Sequence, residues 1–554
     1  MKELLSGNEA IARGAIEAGV QIATGYPGTP ASEIIDTLGK IKPPGMYVEW
    51  SINEKVGFEI ASAGSFSGLR TLFCTKHLGM NVISDALTVV ALAGVDGGLM
   101  VVSADDPEPS SSQSAVDTRY YAQLSKIPCI EPANGQEAKD MVIKGLELSE
   151  KLKLPVLLRT TPRIAHARFP VELNGIEPTI RRGKFKKDSS RYVMIAPNTK
   201  INHPKLNSKL GNARAIFNNF EFNKLELKGK ELGIIASGVS YNYAVEAAEM
   251  LNIDSSILKL ATTYPVPEKP VMDILNYCDR ILVIEEIEPI IEKEVRTIAS
   301  LNGIEKPIHG TLTEHIPRTG ELNPDIVMQA LTVILNLNSP VQLQAEKIKP
   351  RTPSLCAGCP HRATYYAINR AFKDIGKEGI VCGDRGCYNQ GVYPPLSAID
   401  LCICMGSSIP MALGLKTARV DEPVIAIIGE STFYHAGMPG LLNAVHNKIP
   451  ITIIIADNGI TAMTGHQPNP STGRTLMGEQ TKIIYPEKIA ESFGVENIKV
   501  VDPFDLDSTI NAIEEGIKSN TLALIVCRHP CPIELRREHK LESKKVKVEG
   551  CTGC

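Results

Sequence analysis

The stretch 424–467 reads VIAIIGESTFYHAGMPGLLNAVHNKIPITIIIADNGITAMTGHQ, and two apolar runs within it set the architecture. Residues 424–428 form a continuous apolar run of the length of a buried parallel strand, which ends at Gly429. Glu430 follows at once, then an expected loop and a helical segment carrying Leu441, Leu442 and Val445. Residues 451–455 are the second run, which ends in Asp457-Asn458-Gly459. Each strand end therefore presents an oxygen-bearing side chain, and in open parallel sheets ligands bind beyond the carboxyl ends of the strands. An acid and an amide oxygen at one edge suit a hard divalent cation, which would neutralise a diphosphate. Two core strands of an ordinary doubly wound domain would read the same way, so the surroundings must decide.

Those surroundings are large. At 554 residues the chain exceeds what one core supports, and it is expected to hold about three or four domains. With 43% hydrophobic and 22% charged residues it has the composition of an ordinary globular protein. A net charge of −3 gives no support to nucleic-acid or membrane-surface binding. The N-terminal MKELLSGNEAIARG lacks the apolar core of a signal peptide, and no stretch reaches the roughly 18 apolar residues of a membrane span. Thirteen cysteines without such a signal point to a reducing cytoplasm, where thiols stay free or ligate metal.

Along the chain, α/β patterning starts, stops and restarts. Strand-like runs at 98–103 and 155–159 alternate with helical patterns such as 8–18, and GYPGTP (25–30) punctuates them, so 1–182 reads as a mainly parallel α/β domain. The charged segment 183–228, which opens with GKFKKDSSR, reads as an irregular linker or excursion. The pattern returns with LGIIAS, the helix YNYAVEAAEML and the strand RILVIEEIEP (280–289), a smaller domain over 229–340. A polar, proline-bearing connection leads to a third domain, 350–541, and then to a tail, 542–554, that ends in CTGC. The expected class is α/β, with two large parallel-sheet domains flanking a smaller one.

The Glu430/Asn458 pattern resembles the diphosphate-binding signature of thiamine diphosphate enzymes, which opens on a Gly-Asp-Gly turn. Carried over by position, that resemblance implies cofactor contacts from Gly429, Glu430 and Ser431, and magnesium (Mg2+) ligands from Glu430, Asn458 and the carbonyl of Ile460. Glu430 stands where those enzymes have Asp, and Ser431 where they usually have Gly. Such enzymes also need a carboxyl group against N1′ of the aminopyrimidine, supplied by a different domain. Glu54, in VEWSINEKVGFEIASAGSFSG (48–68), is placed to be that acid/base, with Glu59 the next acid to consider. Without the resemblance, Glu54 reads more simply as a first-turn acid stabilised by its helix dipole.

Taken together, GNEAIARGAIEAGV, GYPGTPASEI, WSINEKVGFEIASAGS, TKHLGMNV, SSQSAVDTRYYAQLSKIPCIEP, LCAGCPHR, GCYNQG, ICMGSSI and MTGHQP resemble the alpha subunits of indolepyruvate:ferredoxin oxidoreductases. The likeness covers nearly the whole chain and places it in the 2-oxoacid:ferredoxin oxidoreductase superfamily. It implies a thiamine diphosphate-binding fold whose middle domain is transketolase-C-like. It implies oxidative decarboxylation of an aryl 2-oxoacid, indolepyruvate among them, to its acyl-CoA, with ferredoxin as electron acceptor. It further implies a hetero-oligomer with a separate small beta subunit, binding coenzyme A (CoA) and acting in the cytoplasm in amino-acid catabolism.

The cysteines fit that implication in kind and order. Cys356 and Cys359 form C-x2-C, Cys387 sits in the turn GDRGCYNQG, and Cys531 in RHPCPIE. In the superfamily such a set binds a [4Fe-4S] cluster, and four thiolates are what a cubane needs. A zinc site or ordinary reduced cysteines remain open readings of the same residues. Cys382, Cys402, Cys404 and Cys527 lie in or beside apolar runs and read as core. Cys551 and Cys554 form the opening half of a ferredoxin-type motif, too few for a second cluster.

Further candidates carry two readings each. Lys76, His77 and His466 would face substrate or serve as structural hydrogen-bonders; Arg119 and Tyr120 would lie near substrate or CoA. His435 would help hold the diphosphate, and Met405 would pack under the cofactor or simply belong to the core. Two other functions compete with the oxidoreductase. One is a non-oxidative thiamine diphosphate-dependent decarboxylase, which needs no cluster, and the other a non-catalytic binding subunit in which Glu430 spoils the metal site.

Overall fold

Runs such as TLFCTK (Thr71–Lys76) and LMVVSA (Leu99–Ala104) are buried at every position, so each needs cover on both faces and pairing on both edges. In the computed structural model, which describes residues 1–176, 182–337 and 353–538, they form the centre of a seven-stranded sheet. Its order is Thr262–Tyr264, Cys129–Ile130, Val156–Thr160, Leu99–Ala104, Thr71–Lys76, Ile22–Gly25, Tyr47–Trp50. All neighbours are parallel except the first pair.

A second sheet runs Ile308–His309, Arg280–Ile284, Leu232–Ser237, Ser256–Leu260, Lys224–Glu226, parallel but for the last strand. The chain divides into two compact units, Met1–Ala345 and Glu346–Cys554, and both of these sheets belong to the first. They are joined covalently and by pairing. Strand Thr262–Tyr264 continues directly from Ser256–Leu260 of the smaller sheet and adds itself to the edge of the larger.

The charged segment after residue 182 is not an irregular linker. It holds the helix Ala196–Phe217, which packs on the helices His77–Ala93 and Gly135–Leu152. Asn202, Leu206, Ala213 and Phe217 are its buried residues, and their spacing marks one helical face. Pro204 and a run of lysines and asparagines on the other faces hide that pattern in the sequence.

The second unit is one five-stranded, wholly parallel sheet, ordered Ile380–Cys382, Val424–Gly429, Thr452–Asp457, Ala523–Arg528, Asn497–Val501. Its two apolar layers lie on either face. The expected α/β class of parallel-sheet domains is what the chain adopts.

Candidate functional site

The register of the second unit pairs Gly429 with Ala456, so Glu430 and Asp457-Asn458 leave the sheet side by side. No loop follows Glu430, contrary to expectation. A helix begins at Glu430 (Glu430–Thr432), widens into a π-helical turn at Phe433–Gly437 and continues as Met438–His446. Such π turns inside helices are frequent at functional sites. A Cβ at Gly429 would sit 2.5 Å from the Tyr388 ring, which explains the glycine before the acid.

Glu430 is buried, with Oε1 accepting from Asn469 Nδ2 at 3.0 Å and Oε2 from the Asn458 N–H at 3.4 Å. Burial, and then the charge of Asp457, pushes its carboxyl up to about 8. Asp457 is itself held by Arg528 Nε at 2.7 Å, and Arg528 also forks onto Glu487. Asn458 Oδ1 accepts from the Ile460 N–H at 3.1 Å, and its Nδ2 donates to His361 Nε2 at 3.2 Å. Burial pushes that imidazole down to about 4, so it stays neutral and accepts. Ser431 Oγ meets Thr461 Oγ1 at 2.8 Å, tying the loop past Asn458 to the helix start. The result is a buried carboxyl, an amide and backbone carbonyls at one sheet edge, a hard-oxygen set short of positive charge.

Met405 is half-buried in the turn before helix Ser408–Thr417. Asp384 accepts from the Gly406 N–H at 2.8 Å and the Ser408 N–H at 2.9 Å, and a Cβ at Gly406 would strike Ala436, next to the buried His435. Cys356, Cys359, Cys387 and Cys531 are drawn into mutual electrostatic range. Burial, reinforced by Cys356 and Cys531, lifts Cys359 to about 11. Burial, reinforced by Cys359, Cys531, Cys356 and then Glu430, lifts Cys387 to about 12. Among the described residues no three His, Cys, Asp or Glu side chains converge as a single bound ion would require. Cys382 and Cys527 are buried as expected, Cys402 is half-buried, and Cys404 is exposed rather than core. Cys551 and Cys554 lie outside the described residues. His466, at a left-handed φ of 67°, brings Nε2 to 3.7 Å from Cys531 Sγ.

In the first unit, Glu54 opens the helix Glu54–Phe66 behind an Asn53 cap and is buried. It lies against Gly79, in the first turn of the helix His77–Ala93. Glu59, on the same helix, is engaged by Lys55. Lys76 donates to the Ser111 carbonyl at 2.8 Å, and buried His77 contacts the Ser114 carbonyl at 2.9 Å through Nε2. Arg119 is bonded within the first unit. Fully buried, it spends its guanidinium on Asp117 (2.6 Å), Glu285 (2.6 Å) and the carbonyls of Glu286 and Glu288. Tyr120 Oη is 3.3 Å from Glu288.

Two family models match: pyruvate flavodoxin/ferredoxin oxidoreductase, thiamine diphosphate-binding, over 13–219, and thiamine pyrophosphate enzyme, C-terminal TPP binding domain, over 384–527. The indolepyruvate oxidoreductase subunit IorA of Pyrococcus horikoshii is 40% identical over 100% of this chain and 90% of its own length. The namesake subunit of Methanothermobacter marburgensis is 40% identical over 99% of this chain and 90% of its own. The chain belongs to the indolepyruvate oxidoreductase subunit IorA family. A solved structure, the 2-oxoglutarate:ferredoxin oxidoreductase of Magnetococcus marinus, aligns over 60% of this IorA-family chain and 65% of its own, with a TM-score of 0.49 and 16% identity.

Membership makes the chain a subunit of a thiamine diphosphate-dependent 2-oxoacid:ferredoxin oxidoreductase, and the thiamine diphosphate-binding fold is as expected. Three residues in the IorA-family site escape sequence reasoning. Asp384 shares the turn GDRG with the quoted Cys387 motif, and His361 stands in LCAGCPHR, so both had a local signal in a motif read for its cysteines. Asn469 had none, because its contact with Glu430 is made only by the fold.

Proposed function

We propose that the chain is the catalytic alpha subunit of an enzyme that oxidatively decarboxylates aryl 2-oxoacids, indolepyruvate among them, to acyl-CoA while reducing ferredoxin. The observation that carries this is the pairing of Glu430 and Asn458 at adjacent strand ends in a chain of this family. Glu430, the Asn458 amide oxygen and the Ile460 carbonyl would hold Mg2+, whose charge would relieve a carboxyl that burial and Asp457 otherwise keep protonated. His361, accepting from the Asn458 Nδ2, would leave the amide oxygen rather than its nitrogen for the ion.

When bound, thiamine diphosphate supplies the electron sink for decarboxylation. Glu54 would hold and return the proton at N1′ of the aminopyrimidine, and its burial keeps water from that proton. Cys356, Cys359, Cys387 and Cys531 would hold a [4Fe-4S] cluster, which supplies one-electron transfer. A cubane keeps its thiolates apart at its corners, in keeping with thiols that feel one another without converging on a single point. His466 would sit against the Cys531 corner rather than against substrate. The family name supports a separate small beta subunit, and ferredoxin and CoA as partners follow from the reaction. Among the described residues no helix is long and apolar enough to cross a membrane, which is in keeping with work in the cytoplasm.

The test is calorimetric titration of the purified chain with thiamine diphosphate and Mg2+. Glu430→Asp should bind as well as wild type, and Glu430→Ala at least tenfold more weakly. Equal affinity in both variants would remove Glu430 from the metal site. Anaerobically purified protein should be brown, absorbing at roughly 400 nm, and should lose that colour in Cys387→Ser. A colourless wild-type protein that binds the cofactor would instead be a non-oxidative decarboxylase.

A further inference from the structure

Glu430 leaves the first turn of its helix through one more rotatable bond than an aspartate would, and ordering each such bond costs conformational entropy. A partner that holds the carboxyl group beforehand removes that cost from the binding of an ion. In the second unit such a partner is present. Asn469, 39 residues further along the chain, donates from Nδ2 to Glu430 Oε1 at 3.0 Å.

The chain places Asn469 there by folding a loop back on itself. Thr461 and Gln467 pair across it, each N–H donating to the other's carbonyl at 3.1 Å. Gly465, at a φ of 134°, and His466, at 67°, turn the chain between them. Thr461 also meets Ser431 at 2.8 Å, so the paired loop is fastened to the start of the helix that Glu430 opens. Asn469 lies just past the pair, within 3.4 Å of Thr461 Oγ1 as well as on Glu430. Its amide can face only one way. The Ser471 N–H, at 2.9 Å, and the Ser471 hydroxyl, at 2.6 Å, both donate to Oδ1. A backbone N–H cannot accept, so the oxygen must face Ser471 and the nitrogen must face the carboxyl group. Glu430 Oε1 is thereby engaged. Oε2 lies on the side of Asn458, whose N–H approaches it at 3.4 Å, long for a hydrogen bond.

We propose that Asn469 is a positioning residue for the metal site: it holds Oε1 of Glu430, so that Oε2 is presented to a divalent cation shared with Asn458. The inference rests on the Mg2+ reading of Glu430 and Asn458 given above.

The quantity to measure is the Mg2+ concentration at which thiamine diphosphate binding to the full chain is half-maximal, from calorimetric titrations at a series of Mg2+ concentrations. Asn469→Ala should raise it about 10–100-fold, the usual cost of losing a partner that holds a metal ligand. Asn469→Ser keeps an oxygen for the Ser471 N–H but is too short to reach Glu430. It should show the same rise, and it serves alone if Asn469→Ala does not fold. Glu430→Asp withdraws the carboxyl group by one C–C bond, about 1.5 Å, out of reach of Asn469. Glu430→Asp/Asn469→Ser should therefore need no more Mg2+ than Glu430→Asp alone. An unchanged Mg2+ requirement in the folded Asn469 variants overturns the proposal. An equal rise with Glu430 and with Glu430→Asp also overturns it, and makes Asn469 a brace of the loop alone. Mg2+-independent binding by wild type, or a Glu430→Ala variant that binds like wild type, removes the Mg2+ reading and the proposal with it. A weakened Glu430→Ala beside unchanged Asn469 variants removes the proposal and leaves that reading standing.

Discussion

Glu54 shows how much one buried side chain depends on a neighbour that carries none. It sits at the start of its helix, where Asn53 accepts from the Val56 N–H, and it packs on Gly79 of another helix. A Cβ at Gly79 would lie 2.6 Å from Glu54 Cγ and 1.9 Å from Thr75 Oγ1, so this pair of helix starts tolerates only glycine. Glu54→Gln should keep thiamine diphosphate affinity within about tenfold and lose about 10²–10⁴ in turnover, because the amide can still bond but cannot exchange the proton. Gly79→Ala should lose turnover with Glu54 intact, since the methyl displaces the carboxyl. Steady-state rates beside circular dichroism check both, and a folded Gly79→Ala enzyme at wild-type speed would show that this packing does not position the acid. Glu54 was legible in the sequence from its helix start and motif. The need for Gly79 was not, because the close approach is made between elements distant from any turn signal.

At the scale of elements, the strand ends were legible and the ties between elements were not. A parallel strand buried on both faces must be a continuous apolar run, so Val424–Gly429 and Thr452–Asp457 announced themselves together with the acid and amide that follow. Helix Ala196–Phe217 did not, because its buried stripe is sparse and interrupted by Pro204. Arg119 is a related case. Its motif suggested a substrate contact, whereas its acid Glu285 lies 166 residues away at the end of a strand in the other sheet. That strand end, Asp117 and the helix Arg119–Ser125 are clasped by one guanidinium. Arg119→Met should therefore destabilise the first unit by about 3–5 kcal/mol, since it leaves buried carboxylates without a counter-charge. Arg119→Lys should recover only part of this, because an ammonium cannot fork onto two acids and two carbonyls. Urea unfolding measures both, and a loss of activity at unchanged stability would restore Arg119 to a substrate role.

For the molecule as a whole, the junction of the two sheets in the first unit makes folding stability depend on pH. Asp105, Asp117, Glu131, Glu285 and Glu286 are buried there with two guanidiniums, Arg119 and Arg159, to answer them. Glu286 is the clearest case. Burial pushes its carboxyl up to about 7, against the pull of the Leu322 N–H and of Arg159, while Glu321 and Glu131 add repulsion. Arg163 and Tyr243 also feel its charge. In the unfolded chain the same group loses its proton near its ordinary value of 4.5. Between 4.5 and about 7 the fold thus holds a proton that the unfolded chain has released. The unfolded state then binds fewer protons, and stability falls as pH rises through this window. Below it both states are protonated and the contribution is intact; above it the full penalty of a buried charge applies. Glu286→Gln keeps the shape and the acceptor for Leu322 but cannot ionise. It should match wild type near pH 4.5 and exceed it at pH 8 by up to a few kcal/mol, since each tenfold change in proton affinity is worth about 1.4 kcal/mol. Asp105 and Glu285, also raised by burial, slope the same way in both proteins, so the difference between the two curves isolates Glu286. Urea midpoints at pH 5, 6, 7 and 8 decide it: curves that converge toward acid support the assignment, and parallel curves would place the titrating group elsewhere.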